Sequence, residues 1–144
     1  MEKIYRSSCE EDTRKIGEMI AKECKNGDFL ALYGEMGSGK TVFMQGFVAV
    51  LVPEARVSSP TYAILNVYEN DEQTVNHFDL YRVTSEDDLL STGFDEIIQK
   101  GITVCEWSEN IPESLPESYL RIVFEKVSDH ERILRVERVV ACLY

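Results

Sequence analysis

The chain has 144 residues, 44% of them hydrophobic and 28% charged, which suits one globular domain with a substantial core and is too short for two. With 26 acidic residues against 15 basic ones the net charge is −11, and a surface that acidic repels nucleic-acid phosphates and argues against direct, tight DNA or RNA binding by this chain alone. No apolar run reaches the length of a membrane span, and Met1-Glu2-Lys3-Ile4-Tyr5-Arg6 lacks the apolar core of a signal peptide, so a cytoplasmic protein without membrane contact is the expectation. Cys9, Cys24, Cys105 and Cys142 are scattered without a CxxC pair, and the histidines are His77 and His130. Neither a zinc pattern nor a disulfide framework is expected, and Cys24 and Cys105 read as core residues.

Residues 2–7 read as a short strand, and Ser8-Cys9-Glu10-Glu11 as a capping box opening a helix with Ile16, Met19, Ile20 and Cys24 on one face. Asn26-Gly27 closes that helix. The apolar strand Asp28–Tyr33 then leads into GEMGSGKT, Gly34 to Thr41, which matches the pattern GxxxxGK followed by Ser or Thr. The four specified positions fall together by chance in only about 0.5% of chains this long. A helix from Lys40 to about Leu51 follows, apolar nearly all round through Val42, Phe43, Met44, Phe47, Val48, Val50 and Leu51, and is expected to be buried.

Strand, loop and helix in that order form a site for anions, because free N–H groups and the helix dipole converge at the loop. Gly34, Gly37 and Gly39 allow backbone turns that a Cβ would obstruct. Lys40 is placed to reach β- and γ-phosphates as a point charge, and the Thr41 hydroxyl to ligate Mg²⁺. A nucleoside triphosphate with Mg²⁺ is the ligand this pattern predicts.

Pro53 ends the second helix, and Ser58-Ser59-Pro60-Thr61 forms a polar turn before two β-rich runs, Tyr62–Glu69 and Thr74–Tyr81. The short connection Asn70-Asp71-Glu72-Gln73 makes them antiparallel neighbours. Thr84-Ser85-Glu86-Asp87 starts another helix, a second helical stretch covers Asp95–Lys100, and Gly101 stops it. Ile102–Trp107 reads as a buried central strand with polar side chains at its C-terminal end, the edge where open α/β sheets bind ligands. Tyr119–Val127 and Arg132–Val140 form a closing hairpin around Ser128-Asp129-His130-Glu131. The expected fold is a single three-layer α/β domain of the phosphate-loop NTPase type, with a mixed, mainly parallel central sheet and antiparallel hairpins.

Mg²⁺ on a triphosphate usually needs a carboxylate beyond the loop hydroxyl. Asp79, in His77-Phe78-Asp79-Leu80-Tyr81-Arg82, and Glu106 are the two candidates. GEMGSGKT, Ser59-Pro60-Thr61-Tyr62, HFDLYR and Glu106-Trp107, in this order and spacing, resemble the TsaE family of bacterial ATPases, also called the YjeE family, over nearly the whole chain. The resemblance implies a small ATPase required for threonylcarbamoyladenosine formation in tRNA, working with two partner proteins, TsaB and TsaD.

Carried onto this sequence, the resemblance assigns the phosphates to Gly34, Glu35, Met36, Gly37, Ser38, Gly39, Lys40 and Thr41, and the metal to Thr41 and Glu106. It gives Asp79 the orienting of a metal-bound water, so Lys40, Asp79 and Glu106 form the catalytic set. Glu106 remains open between metal ligand and general base, and Asp79 stands beside it as a possible ligand. Thr61 is implied as a sensor of the γ-phosphate and Trp107 as a switch or partner residue. The base end of the nucleotide is pointed towards Glu10, Thr13 and Arg132. Ser108 stands where many relatives have proline.

Two other readings remain. A small-molecule or nucleotide kinase would add an arginine-bearing lid, and no arginine cluster follows the loop. A nucleotide-gated assembly module would bind ATP without needing to hydrolyse it. A GTPase is disfavoured by the lack of an NKxD sequence.

Overall fold

A computed structural model describes residues 2–58 and 64–140. In chain order the elements are β1 (Lys3–Ser7), α1 (Glu10–Glu23), β2 (Phe29–Tyr33), α2 (Lys40–Leu51), β3 (Leu65–Glu69), β4 (Thr74–Asp79), α3 (Glu86–Leu90), α4 (Phe94–Ile97) and β5 (Ile102–Glu106). A 3-10 turn at Ser108–Asn110 precedes β6 (Ser118–Lys126) and β7 (Arg132–Val140). The seven strands form one sheet in the order β1-β7-β6-β2-β5-β4-β3. Strands β6, β2, β5 and β4 run parallel at its centre, while β7 and β1 on one side and β3 on the other are added antiparallel. The mixed α/β architecture expected from sequence is therefore present, including both hairpins.

Period-two alternation in the central strands divides the core between the two faces of the sheet. Leu30 and Leu32 of β2, with Ile102 and Val104 of β5, pack under α1 and α2 against Ile16, Ile20, Phe43 and Phe47. Their neighbours Phe29, Ala31 and Cys105 face the opposite way, onto Leu89 of α3 and Phe94 of α4. As expected for a helix apolar on most of its surface, α2 is buried through Phe43, Met44, Phe47 and Val48. It lies between the sheet and α1, and the two helices approach closely at reciprocal glycines. A Cβ on Gly46 would overlap the carbonyl oxygen of Arg14, and one on Gly17 would overlap that of Phe43.

Several local expectations are corrected. The N-cap of α1 is Cys9, which makes no side-chain cap bond, and it is the Asp12 carboxylate that accepts from the Ser8 N–H at 2.9 Å. Only the carboxylate half of a capping box is present, displaced by one residue from the Ser8–Glu11 pairing. Met19 is 51% exposed, because the close crossing at Gly17 centres the contact with α2 on Ile16 and Ile20. Cys24 is the C-cap of α1 and half-buried, and burial pushes its thiol up to about 12. Cys105 is fully buried and is likewise pushed to about 12, first by desolvation, which fits a core residue and not a nucleophile. Strand β4 ends at Asp79 and not at Tyr81, since the Asp79 carboxylate accepts the Tyr81 N–H at 3.0 Å and turns the chain. Strand β5 ends at Glu106, and Trp107 adopts a left-handed conformation with φ 63°. Ser85 caps α3 as read from sequence, accepting from the Asp88 N–H at 3.1 Å.

Candidate functional site

The loop between β2 and α2 lies at the C-terminal edge of the parallel strands, where the helix on one side and the ends of β4 and β5 on the other enclose a cavity of about 890 Å³. Gly39 is the N-cap of α2 with φ 106°, and Gly34 opens the loop with φ 152°. A side chain at Gly39 would have to adopt a backbone conformation that L-residues rarely take, and one at Gly34 would crowd Phe124 at 2.9 Å. The loop is therefore specified by backbone, and its amides are left at a helix start.

Lys40 and Thr41 occupy the first turn of α2, with Thr41 exposed. The Lys40 Nζ donates to the Gly34 carbonyl at 2.7 Å, lies 3.5 Å from Glu106 Oε1, and sits 5.7 Å from the Trp107 ring centroid. Glu35 and Met36 form the crest of the loop, with Met36 99% exposed. Ser38 is buried beneath it, and its hydroxyl has no hydrogen-bond partner among the described residues.

Asp79 and Glu106 are the last residues of the adjacent parallel strands β4 and β5, paired directly in register. Their surroundings differ. Burial by itself raises the Glu106 carboxyl, but the hydrogen bond from His77 and the electrostatic attraction of His77 and Lys40 outweigh it and hold the group below the usual glutamate range. Asp79 is raised, chiefly by desolvation and further by the charge of Glu106, with the Tyr81 N–H pulling the other way. Thr41 and the two carboxylates offer hard oxygen donors of the kind Mg²⁺ prefers. Among the described residues no group of three or more His, Cys, Asp and Glu forms a conventional metal cluster.

Glu10 and Thr13 of α1 and Arg132 of β7, the three residues expected at the base end, line the same cavity as the loop. Their roles are more specific than the sequence indicated. The Thr13 hydroxyl is shared with Ser7 Oγ at 2.6 Å, leaving its methyl towards Gly39. The Arg132 guanidinium donates to the carbonyls of Ser128, Asp129 and Glu131 and, at 3.1 Å, to that of Gly37. It thereby ties the β6–β7 turn to the loop. Thr61, expected to be a sensor, lies outside the described residues. Trp107 is brought to the site, edge-on to Tyr81 with ring centroids 5.0 Å apart.

Sequence reasoning missed Cys9, Ile64, Asp129 and His130, which line the cavity, and the role of His77. The signal for His77 was available in the alternation of β4, where Val75, His77 and Asp79 share a face.

Fold and site together define a three-layer α/β domain organised around a Gly-rich strand–loop–helix unit with two strand-end carboxylates beside it. The model of one family, threonylcarbamoyl adenosine biosynthesis protein TsaE, matches residues 7–134. The chain is 36% identical over 129 residues to the tRNA threonylcarbamoyladenosine biosynthesis protein TsaE of Bacillus subtilis, covering 89% of this chain and 80% of that one. It is 38% identical over 102 residues to the protein of the same name from Aquifex aeolicus, covering 69% and 72% respectively. A crystal structure of Bacillus subtilis YdiB superposes with a TM-score of 0.81 at 30% identity, over 98% of this chain and 87% of that one. The chain belongs to the TsaE family of threonylcarbamoyladenosine biosynthesis proteins.

Proposed function

We propose that the chain binds ATP with Mg²⁺ in this cavity and hydrolyses it slowly, as the cytoplasmic ATPase that works with TsaB and TsaD in forming threonylcarbamoyladenosine in tRNA. The observation that carries this reading is the convergence of Lys40 Nζ on the Gly34 carbonyl and Glu106, beside an Asp79–Glu106 pair in register on neighbouring strands. Gly34 to Thr41 supply backbone donors and one ammonium to the phosphates, and positioning with charge stabilisation is the larger part of phosphoryl-transfer catalysis. Thr41 with Glu106 or Asp79 would hold Mg²⁺, which when bound neutralises phosphate charge and acts as a Lewis acid. The carboxylate not used by the metal is placed to orient a water and accept its proton. Thr13, Glu10 and Arg132 shape the end that takes the base.

The chain alone is expected to be slow, because a cation supplied by a partner typically raises such rates by about 10³–10⁵-fold. The test is Mg²⁺-dependent ATP hydrolysis by the purified chain, alone and with the matching TsaB and TsaD, against a Lys40→Ala blank. A low rate that rises with the partners and disappears in the blank supports the reading. Binding without hydrolysis in either mixture would remove the ATPase mechanism and leave a nucleotide-gated assembly module. That second reading is favoured by one feature, the contact between Lys40 and Glu106 in the chain by itself, which phosphate binding would disturb.

A further inference from the structure

Glu106 is held from two sides. Its Oε1 faces Lys40 and the cavity, while Oε2 lies 2.6 Å from Nε2 of His77, a residue only 2% exposed in the interior of β4. An ionised carboxylate has no proton to give, so Nε2–H is the donor. The other ring nitrogen, Nδ1, is buried with no partner among the described residues. A residue present only to fill space would be an apolar one, because an imidazole with an unpaired nitrogen in a dry site is a poorer filler than leucine. Among the described residues, the ring's one hydrogen bond is that to Glu106. Asp79, the register partner of Glu106, has no such support, and its Oδ1 is held by the Tyr81 N–H in a turn at the surface.

We propose that His77 is a positioning residue for Glu106: by donating from Nε2 to Oε2 it fixes the plane of the carboxylate and keeps Oε1 directed into the cavity. Of the two strand-end carboxylates, Glu106 is then the one oriented by a buried side chain, suited to whichever of its two chemical roles demands fixed geometry, while Asp79 is held at Oδ1 by a backbone N–H. This rests on the hydrolytic reading above for its kinetic test, though not for the hydrogen bond itself.

His77→Leu removes the donor at similar volume, and His77→Gln retains an N–H that can reach the same oxygen. Both are assayed for steady-state ATP hydrolysis beside the wild type and the Lys40→Ala blank, with affinity for a fluorescent ADP analogue and urea unfolding measured in parallel. His77→Leu should lower kcat by about 10–100-fold, the usual effect of removing a support behind a functional ligand, with KM for ATP unchanged. His77→Gln should recover most of that loss. Wild-type kcat in His77→Leu, or equal losses in both variants, would overturn the proposal. If the leucine variant does not fold, long-range ¹H–¹⁵N spectra of the histidine rings decide it. Nε2 of His77 should carry a proton whose signal moves in Glu106→Gln, and a bare Nε2 or an unmoved signal would refute it. Should wild-type hydrolysis not exceed the blank, the hydrolytic reading falls, and the same spectra still judge the positioning bond.

Discussion

Gly46→Ala should destabilise the fold even though alanine is the better helix former. In the interior of α2 the exchange gains about 1 kcal/mol from backbone propensity. Against that, the new Cβ would overlap the Arg14 carbonyl oxygen and stand 2.8 Å from its carbon, where carbon–carbon contacts are ordinarily about 3.5–4.0 Å. The obstacle is backbone of α1, which cannot rotate aside, so the helices must part by about 1 Å. A gap of that size forfeits about a quarter to a half of the dispersion energy across the contact. Overpacking at the upper end of the usual range costs about 3 kcal/mol, which leaves a net loss of about 2 kcal/mol. In urea unfolding that is a fall in midpoint of about 1 M with an unchanged slope. Ala49→Gly, at an exposed position on the same helix, calibrates the propensity part and should lose about 1 kcal/mol. A Gly46→Ala chain as stable as the wild type, or more so, would refute the claim that α1 and α2 are held at contact distance by their glycines.

The two strand-end carboxylates should respond to pH with opposite signs. The folded pKa of Glu106 is depressed, so its stabilisation is complete above the ordinary glutamate range and lost as pH falls through the folded value; Glu106→Gln should cost about 1 kcal/mol in urea at about pH 7 and progressively less as the pH is lowered below the ordinary glutamate range. The folded pKa of Asp79 is raised, so its charged form opposes folding at neutral pH, and Asp79→Asn, which can still accept the Tyr81 N–H, should unfold at higher urea near pH 7 while losing hydrolysis, with the stability gain vanishing below the aspartate range. Arg132→Ala should weaken nucleotide binding by about 3–10-fold through loss of the tie to Gly37, and should speed amide exchange in the β6–β7 turn with little change in global stability.

What the sequence showed and what it hid follow from the range of the interactions involved. The apolar run of Phe29 to Leu32, the apolar circumference of α2 and the spacing of GEMGSGKT are local patterns, and each has one inexpensive structural solution. Met19 was misplaced because helical spacing identifies a face without saying how wide the partner's contact is, and the crossing at Gly17 and Gly46 narrows it. The contact of His77 with Glu106 joins residues 29 apart in sequence. It depends on β4 and β5 being parallel neighbours in one register, which no periodicity specifies. The left-handed turn at Trp107 was equally hidden, since a tryptophan after an apolar strand carries no mark of positive φ. Glu10, Thr13 and Arg132 are pointed to only by family resemblance, and the partners of Thr13 and Arg132, namely Ser7, Gly37 and the turn carbonyls, emerge only from packing.

The position of Lys40 links the two halves of the site. An ammonium has three N–H donors, and here it is within 2.7 Å of one carbonyl and 3.5 Å of one carboxylate oxygen. An anion arriving at the loop would compete with Glu106 for this ammonium. A phosphate that draws the ammonium towards the loop would loosen the cation from Oε1 while His77 still holds Oε2. Loading of the loop and release of a carboxylate oxygen into the cavity then become one event, with the orientation of that oxygen already fixed. Trp107 stands over the same ammonium and immediately follows Glu106, in a backbone conformation that is costly for a non-glycine residue. Movement of Lys40 would remove the ring's cationic neighbour and leave its edge-on contact with Tyr81. The aromatic pair of Tyr81 and Trp107 thus borders the same cavity as Lys40.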